Sequence, residues 1–147
     1  MDILITFPGG KRVNAEFAPV GDAAPMVIAT DQAVKYGGDG SAPEPFKYFL
    51  ASIGTCAGIF VLSFCQKNSI PTDGMTLEQS HEYTTEGPGK SKLAKITIDI
   101  KVPPDFPEKY YDAIVRVADQ CAVKKAIMDQ PQFEVKTVVA RSSGINT

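Results

Sequence analysis

The sequence predicts an α+β fold in which strand-forming segments flank one long apolar helix. Short stretches of alternating apolar and polar residues occupy the N-terminal part of the chain, as far as Thr30, and two later regions. An uncharged, mainly apolar run, Tyr48 to Cys65, lies near the middle of the chain. Only turn-forming sequences separate these segments, with no linker between them. Residues 1–147 are therefore expected to form a single domain.

The predicted order of elements is βββ–α–ββ–αα–β. Three strands come first, then the central helix, then a hairpin that turns at Gly87-Pro88-Gly89. The two shorter helices follow, the first with Asp105 as its cap. The segments that we expect to be regular are Ile3 to Thr6, Val13 to Phe17, Met26 to Thr30, Tyr48 to Cys65, Met75 to Thr85, Ser91 to Val102, Asp105 to Gln120, Cys121 to Asp129 and Phe133 to Ala140.

The central helix is long enough for two interpretations. The uncharged run just reaches the length of a membrane span, but small and polar residues such as Ser52 and Thr55 interrupt it. We therefore favour a helix of a soluble protein that is buried all round, which a domain of this size cannot achieve alone. Gly54 and Gly58 leave one helical face bare. This pattern predicts a homodimer in which two such helices cross.

The composition of the chain excludes some classes of function. A net charge of −2, a pI near 5.4 and the lack of a basic tract argue against nucleic acid as a partner. The N-terminal residues do not resemble a signal peptide, so the three cysteines are expected to be free thiols in the cytoplasm. His81 is the only histidine, and a metal site of Cys56, Cys121 and His81 would have no recognised spacing. We expect neither a metal nor a cofactor.

The cysteines differ in their local surroundings. Cys56 lies in the middle of the central helix, and Cys65 follows it at a spacing that corresponds to about 180° around the helix axis. The two therefore face opposite sides, and Cys65 is expected to pack in the core. Cys121 lies near the start of a helix, where free N–H groups favour a thiolate. Taken alone, each cysteine is better explained as a small buried apolar residue than as a reactive thiol.

Two segments resemble the OsmC/Ohr family. The segment 45–56, PFKYFLASIGTC, is similar to the family's central helix, in which a proline-rich turn precedes an apolar helix and its first cysteine. The segment 119–126, DQCAVKKA, is similar to the family's second-cysteine region. The separation between Cys56 and Cys121, the Gly37-Gly38 loop and the order of elements also agree, so that the resemblance covers almost the whole chain.

The resemblance implies an OsmC-like fold, an intertwined homodimer and a role in the antioxidant stress response. Cys56 would attack an organic hydroperoxide as a thiolate and become a sulfenic acid, and Cys121 would resolve this to a disulfide. An external dithiol of the lipoyl type would then reduce both cysteines. Since a free cysteine is only a few per cent ionised at neutral pH, Cys56 needs a nearby group that lowers its pKa, and we expect that group to be a cation.

Two positions depart from the family pattern. The family's peroxidases use an arginine from the N-terminal strands, for which Arg12 is the candidate, and a glutamate early in the central helix, where this chain has Phe46-Lys47. The spacing between Lys47 and Cys56 corresponds to about two and a half turns, so the two residues lie on opposite sides of the helix. Lys47 would therefore reach only the thiol of another chain. Ala122 replaces the usual proline after the second cysteine. The alternative hypothesis is therefore a non-catalytic, dimeric protein that binds a small ligand or senses thiols.

Overall fold

The computed structural model describes residues 3–139 and has the expected α+β architecture. Short 3₁₀ turns precede the central helix and the first of the two smaller helices. The elements are β1 (Ile3–Gly9), β2 (Arg12–Phe17), β3 (Met26–Thr30), α1 (Pro45–Lys67), β4 (Thr76–Thr85), β5 (Ser91–Lys101), α2 (Tyr111–Ala118) and α3 (Ala122–Met128).

The first three strands form an antiparallel sheet in the order β1-β2-β3. Ala15 at its centre pairs with Ile5 on one side and Ile28 on the other. Apolar side chains of β1 and β3 remain exposed, among them Ile5 at 50% and Met26 at 71%. Exposed apolar area on this scale is typical of a surface that another element or another chain covers.

The second sheet is the antiparallel hairpin β4-β5, with a bulge between Glu82 and Tyr83. Its inner face packs against α1 and α2. The core there consists of Val61, Cys65, Phe106 and Ile114, with Leu77 and Ile100 among the partly buried residues around it.

Helix α1 is buried along one side only. Its buried residues follow one another at intervals of four, which places them in one stripe: Ile53, Ala57, Val61 and Cys65. The opposite side is exposed, with Ile59 at 64% and Leu62 at 43%. Full burial of this helix is expected only with a second chain, and in the single chain β4, α2 and α3 cover one side of it. By length and composition α1 could cross a membrane, but core helices of soluble proteins meet the same criterion.

Gly54 allows α1 to lie close to β4. A Cβ atom at this position would lie 2.8 Å from Oε1 of Gln79, so that any larger residue would displace that side chain. Gln79 is held there because its Nε2 donates to the carbonyl of Leu50 at 2.9 Å. Gly54 therefore serves packing within the chain, whereas a Cβ at Gly58 would meet no described atom within 4 Å.

A buried carboxylate organises the loop between β3 and α1. Asp31 is 1% exposed, and its oxygens accept hydrogen bonds from the backbone N–H groups of Gln32, Asp39 and Ser41 and from the Ser41 hydroxyl. These bonds, led by that from the Ser41 N–H, lower the pKa of Asp31, although burial opposes them. The carboxylate thus sets the path along which the chain enters α1.

Two sequence predictions are wrong within the described residues. Residues 133–139 of the predicted strand Phe133 to Ala140 are irregular, and Val135 is 97% exposed; Ala140 lies outside the described part. A strand needs a neighbour for its backbone groups, and none pairs with this segment here. Asp105 does not cap α2, because a 3₁₀ turn at Glu108–Tyr110 intervenes and the helix begins at Tyr111.

Candidate functional site

The start of α3 lies against the middle of α1 through Cys121. This residue is the N-cap of α3, and its Sγ accepts a hydrogen bond from the backbone N–H of Lys124 at 3.4 Å. The same Sγ lies 3.6 Å from the carbonyl oxygen of Ile53, to which its S–H donates. With only 2% of its surface exposed, Cys121 joins the two helices at a buried contact.

Cys56 lies beside the same region. It is half-buried, and its pKa is lowered chiefly by the backbone N–H of Val123. Burial opposes this effect, while the S–H of Cys121 and the N–H of Ala122 add to it. All three donors favour the thiolate because they interact more strongly with a charged sulfur than with a neutral one. The peptide N–H groups of Ala122 and Val123, at the start of α3, therefore favour the Cys56 thiolate. The dipole of α1 does not do so, because Cys56 lies in the middle of that helix.

The pKa of Cys121 is shifted in the opposite direction. Burial is the largest cause that raises its pKa, and the hydrogen bond and charge of Cys56 raise it further. Over the pH range in which Cys56 ionises, Cys121 therefore keeps its proton. A thiol has only one hydrogen, and in the structure the S–H of Cys121 donates to the carbonyl of Ile53.

The structure brings together two of the three predicted site residues. Arg12 lies exposed at the start of β2, with its Nε 3.4 Å from the carbonyl oxygen of Gly9. Within residues 3–139, the groups that lower the Cys56 pKa are peptide N–H groups and a thiol, and none is a cation. Lys47 lies at the surface, 3.9 Å from Glu44. Any role of Arg12 or Lys47 at Cys56 stays a prediction that requires a second chain.

The remaining candidates pack or pair elsewhere. Cys65 is fully buried with its Sγ 4.0 Å from Sδ of Met75, and burial raises its pKa, which confirms its place in the core. His81 lies on β4, as predicted, with Nε2 2.7 Å from Nε2 of Gln79. Among the residues that the structure describes, no group of three or more His, Cys, Asp or Glu is arranged to hold a metal ion.

A groove of about 820 Å³ runs between β5 and the two short helices. Its walls are mainly apolar, with Phe49 and Ile53 from α1, isoleucines from β5 and Ile114 from α2, and charged residues such as Lys95 and Lys124 also line it. Cys121 forms part of the wall. The groove is large enough for a lipophilic molecule of moderate size.

Two parts of this arrangement are not predicted by the sequence pattern. The N–H groups of Ala122 and Val123 were missed because backbone donors carry no side-chain signature, although a cysteine before a short helix points to them. Asp31 was missed as well. Its signal is an acidic residue that directly follows a strand and precedes the glycine-rich segment 37–41, whose N–H groups need an acceptor.

Comparison with solved structures identifies similar folds. A candidate osmotic-stress-induced and detoxification-response protein of Psychrobacter arcticus matches with a TM-score of 0.65 at 20% identity, over 84% of this chain and 85% of that one. An OsmC-like protein of unknown function from Vibrio cholerae matches with a TM-score of 0.58 at 11% identity, over 85% and 91%. OsmC of Legionella pneumophila, an organic hydroperoxide resistance protein and predicted redox protein, matches with a TM-score of 0.53 at 17% identity, over 86% and 89%.

At these identities the structural matches show the fold and not the activity. No curated protein matches the chain. The family model for OsmC-like proteins matches residues 38–136, which include α1, both strands of the hairpin, α2, α3 and the two cysteines that meet between the helices. The chain therefore belongs to the OsmC-like protein family.

Proposed function

We propose that this protein is a thiol-dependent peroxidase that reduces organic hydroperoxides, with Cys56 as the attacking and Cys121 as the resolving residue. The observation that carries the proposal is the pair of neighbouring thiols, in which Cys121 is bonded to the carbonyl of Ile53 in α1 and the two pKa values are shifted in opposite directions. An attacking thiol has to be ionised, whereas a resolving thiol is best kept protonated until the sulfenic acid has formed. The Legionella relative, which is named for organic hydroperoxide resistance, makes the same chemistry plausible for this family.

The reaction has three steps. The Cys56 thiolate attacks the distal oxygen of the hydroperoxide, the O–O bond breaks, and the alkoxide leaves and takes up a proton to become the alcohol. Cys56 is now a sulfenic acid, and Cys121 loses its proton and attacks that sulfur. The S–S bond forms as the hydroxide leaves and is released as water. An external dithiol of the lipoyl type then reduces the disulfide and is itself oxidised.

The groove beside Cys121 supports a lipophilic substrate or reductant. Apolar side chains of α1, β5 and α2 form its walls, and a hydrocarbon chain bound in the groove would displace water from them. Free thiols also suit the cytoplasm, which we propose as the location of the protein.

We further propose that the protein acts as a homodimer. The outer side of α1 is exposed and apolar, with Ile59 and Leu62 at its centre, and apolar side chains of β1 and β3 are exposed as well. A second copy of the chain offers surfaces of the same character, and their mutual burial would remove both from water. Arg12 of one subunit would then approach Cys56 only across the interface.

The test is the consumption of cumene hydroperoxide with dihydrolipoamide as the reductant. Wild type is expected to turn over repeatedly. Cys56→Ser is expected to be inactive, because the hydroxyl is not ionised at neutral pH. Cys121→Ser is expected to reduce one equivalent of hydroperoxide rapidly and to accumulate a sulfenic acid, which dimedone labelling detects. Equal slow rates in wild type and Cys56→Ser would rule out the proposal.

A non-catalytic, ligand-binding role is the second candidate. It is favoured by the groove, which borders Cys121 and not Cys56 within the described residues, and by the exposed position of Arg12. In that case a fluorescent fatty acid would bind with the same affinity to wild type and to Cys56→Ser, and neither would reduce the hydroperoxide. Binding that is accompanied by turnover in wild type would instead support the peroxidase.

A further inference from the structure

The groove between β5 and the two short helices reaches one of the two cysteines of the site. Cys121 forms part of its wall, whereas Cys56 does not border it within the described residues. Cys121 is only 2% exposed, so an external molecule approaches its sulfur from the groove. In the proposed reaction the hydroperoxide has to meet Cys56. The molecule that has to reach the disulfide afterwards is the reductant, and the groove leads it to Cys121.

We propose that this groove binds the reductant, a neutral dithiol with an apolar chain, and that the reductant attacks Cys121 in the disulfide form of the protein. This role of the groove rests on the proposed function and deepens it, because it selects the sulfur that is attacked and the chemistry of the molecule that attacks it.

The walls of the groove suit a neutral molecule. They are mainly apolar, and the formal charges of the two lysines and two aspartates among them cancel: Lys95, Lys124, Asp99 and Asp119. Nζ of Lys95 lies 3.2 Å from Oε1 of Glu82, and Lys124 is paired with Asp119. An anionic thiol such as glutathione would therefore lose hydration in the groove without gaining an unpaired cation. A neutral dithiol with a hydrocarbon chain has no such cost and gains from burial of the chain.

The choice of sulfur is also supported by the ease with which each cysteine leaves. In thiol–disulfide exchange the thiol of lower pKa is the better leaving group. The pKa of Cys56 is lowered, chiefly by the N–H of Val123, whereas burial raises the pKa of Cys121. Attack on Cys121 expels Cys56, the better leaving group, and attack on Cys56 would expel Cys121. Access through the groove and reactivity therefore select the same sulfur.

The exchange takes place in two steps. One thiolate of the reductant attacks Sγ of Cys121, a new S–S bond forms, and the bond between Cys121 and Cys56 breaks as Cys56 leaves as a thiolate. The second thiol of the reductant then loses its proton and attacks the reductant's own sulfur in the mixed disulfide. The reductant leaves as a cyclic disulfide, oxidised by two electrons. Cys121 is released as a thiolate and takes up a proton.

The experiment stops the exchange at its first step with a reductant that has only one thiol. Wild type is converted to the disulfide with diamide, mixed with mercaptohexanol, which is neutral and has an apolar chain, and quenched in acid after short reaction times. Digestion with pepsin and mass spectrometry identify the cysteine that carries the adduct. We expect the adduct on Cys121 and a free thiol on Cys56. An adduct on Cys56 at the earliest times would overturn the inference.

A second measurement tests the groove itself. Val115 lines the groove and is 59% exposed, so a larger side chain there can occupy the groove without displacing the core. Val115→Trp is expected to slow the reduction of the disulfide by dihydrolipoamide about tenfold, the effect of losing the burial of about two methylene groups. Arg116→Trp places the same ring on the adjacent exposed residue, which does not line the groove, and should keep the wild-type rate. Equal rates in the two variants would overturn the groove as the binding site of the reductant.

These outcomes are distinct from those of the proposed function. Diamide replaces the hydroperoxide, so the adduct is located even if the wild type fails to turn over. A peroxidase whose adduct forms on Cys56 would keep its function and lose this role for the groove. A wild type in which diamide forms no disulfide between Cys56 and Cys121 would overturn both.

Discussion

A thiol in the middle of a helix gains little from the dipole of that helix, and Cys56 occupies such a position in α1. The sequence therefore suggested a cation as the activating group. The pKa of Cys56 is instead lowered chiefly by the backbone N–H of Val123, with smaller effects from the S–H of Cys121 and the N–H of Ala122. At the scale of single residues, the sequence predicts the two cysteines that the structure brings near each other, but it does not reveal backbone donors from a segment that is distant along the chain.

Removal of the thiol donor is expected to make Cys56 less acidic. In Cys121→Ala the sulfur loses one of its three donors, and α3 loses its cap. Because S–H is a weak donor, we expect the alkylation rate of Cys56 at neutral pH to fall only about threefold. Cys121→Ser, whose hydroxyl both donates and caps, is the control and should stay close to wild type. A faster reaction in Cys121→Ala would contradict the assigned direction of the hydrogen bond.

At the scale of elements, local patterns predicted most of the structure. The alternation of residues 26–30 indicated a strand with the observed bounds, and Gly87-Pro88-Gly89 joins β4 and β5 as expected. The strand predicted after α3 fails because it depends on a distant neighbour: residues 133–139 have the strand pattern, but no strand pairs with them within the described residues. Full burial of α1 likewise depends on a second chain, and in the single chain its outer side is exposed.

The close packing of α1 on β4 is expected to reverse the usual effect of a glycine substitution. Alanine in a helix interior is normally more stable than glycine by about 1 kcal/mol. In Gly54→Ala the new Cβ would lie 2.8 Å from Oε1 of Gln79 and force that side chain away from Leu50. We therefore expect urea denaturation to show a loss of stability of about 1 kcal/mol.

The double variant Gly54→Ala/Gln79→Ala is the control for this assignment. If the clash with Gln79 causes the loss, the two substitutions will be strongly non-additive, with the double variant more stable than the sum of the single effects. Additive effects would show that Gly54 is needed for another reason.

The carboxylate of Asp31, in the loop before α1, should make the folding stability depend on pH in the acidic range. The pKa of Asp31 is lower in the folded chain than its ordinary value of 3.8. Its stabilising contribution is therefore complete above the unfolded-state pKa and is lost as the pH falls through the lower folded-state value. Asp31→Asn is expected to be less stable at neutral pH and to show a flatter stability profile below about pH 4.

Asp39→Asn, in the same loop, is the matched control for this measurement. Its side chain is exposed and only its backbone N–H bonds to Asp31, so thermal unfolding from acidic to neutral pH should follow the wild type. An Asp31→Asn curve parallel to the wild type over this range would show that Asp31 does not bear the acid dependence.

At the scale of the whole molecule, the exposed side of α1 determines the expected assembly. Ile59 is 64% exposed at its centre, and Gly58 beside it leaves room for a second helix. A charge at this position would be buried in the proposed dimer and would cost several kcal/mol. Ile59→Glu is therefore expected to sediment as a monomer, in contrast to a wild-type dimer.

Gln66→Glu adds the same charge to a polar, exposed position of the same helix and should remain dimeric. A wild-type protein that sediments as a monomer at micromolar concentration would contradict the proposed assembly. A dimer that tolerates Ile59→Glu would place the interface elsewhere, for example on the sheet of β1, β2 and β3.

The single hydrogen of Cys121 makes a distant atom sensitive to the charge on Cys56. In the structure the S–H donates to the carbonyl of Ile53, which does not itself titrate, and we expect it to turn towards Cys56 when that sulfur is charged. The ¹³C chemical shift of that carbonyl should then follow the ionisation of Cys56, and the S–H stretching band of Cys121 should move to lower wavenumber as it bonds to a charged sulfur. Ile53 thus offers a spectroscopic view of the thiolate without chemical modification of either cysteine.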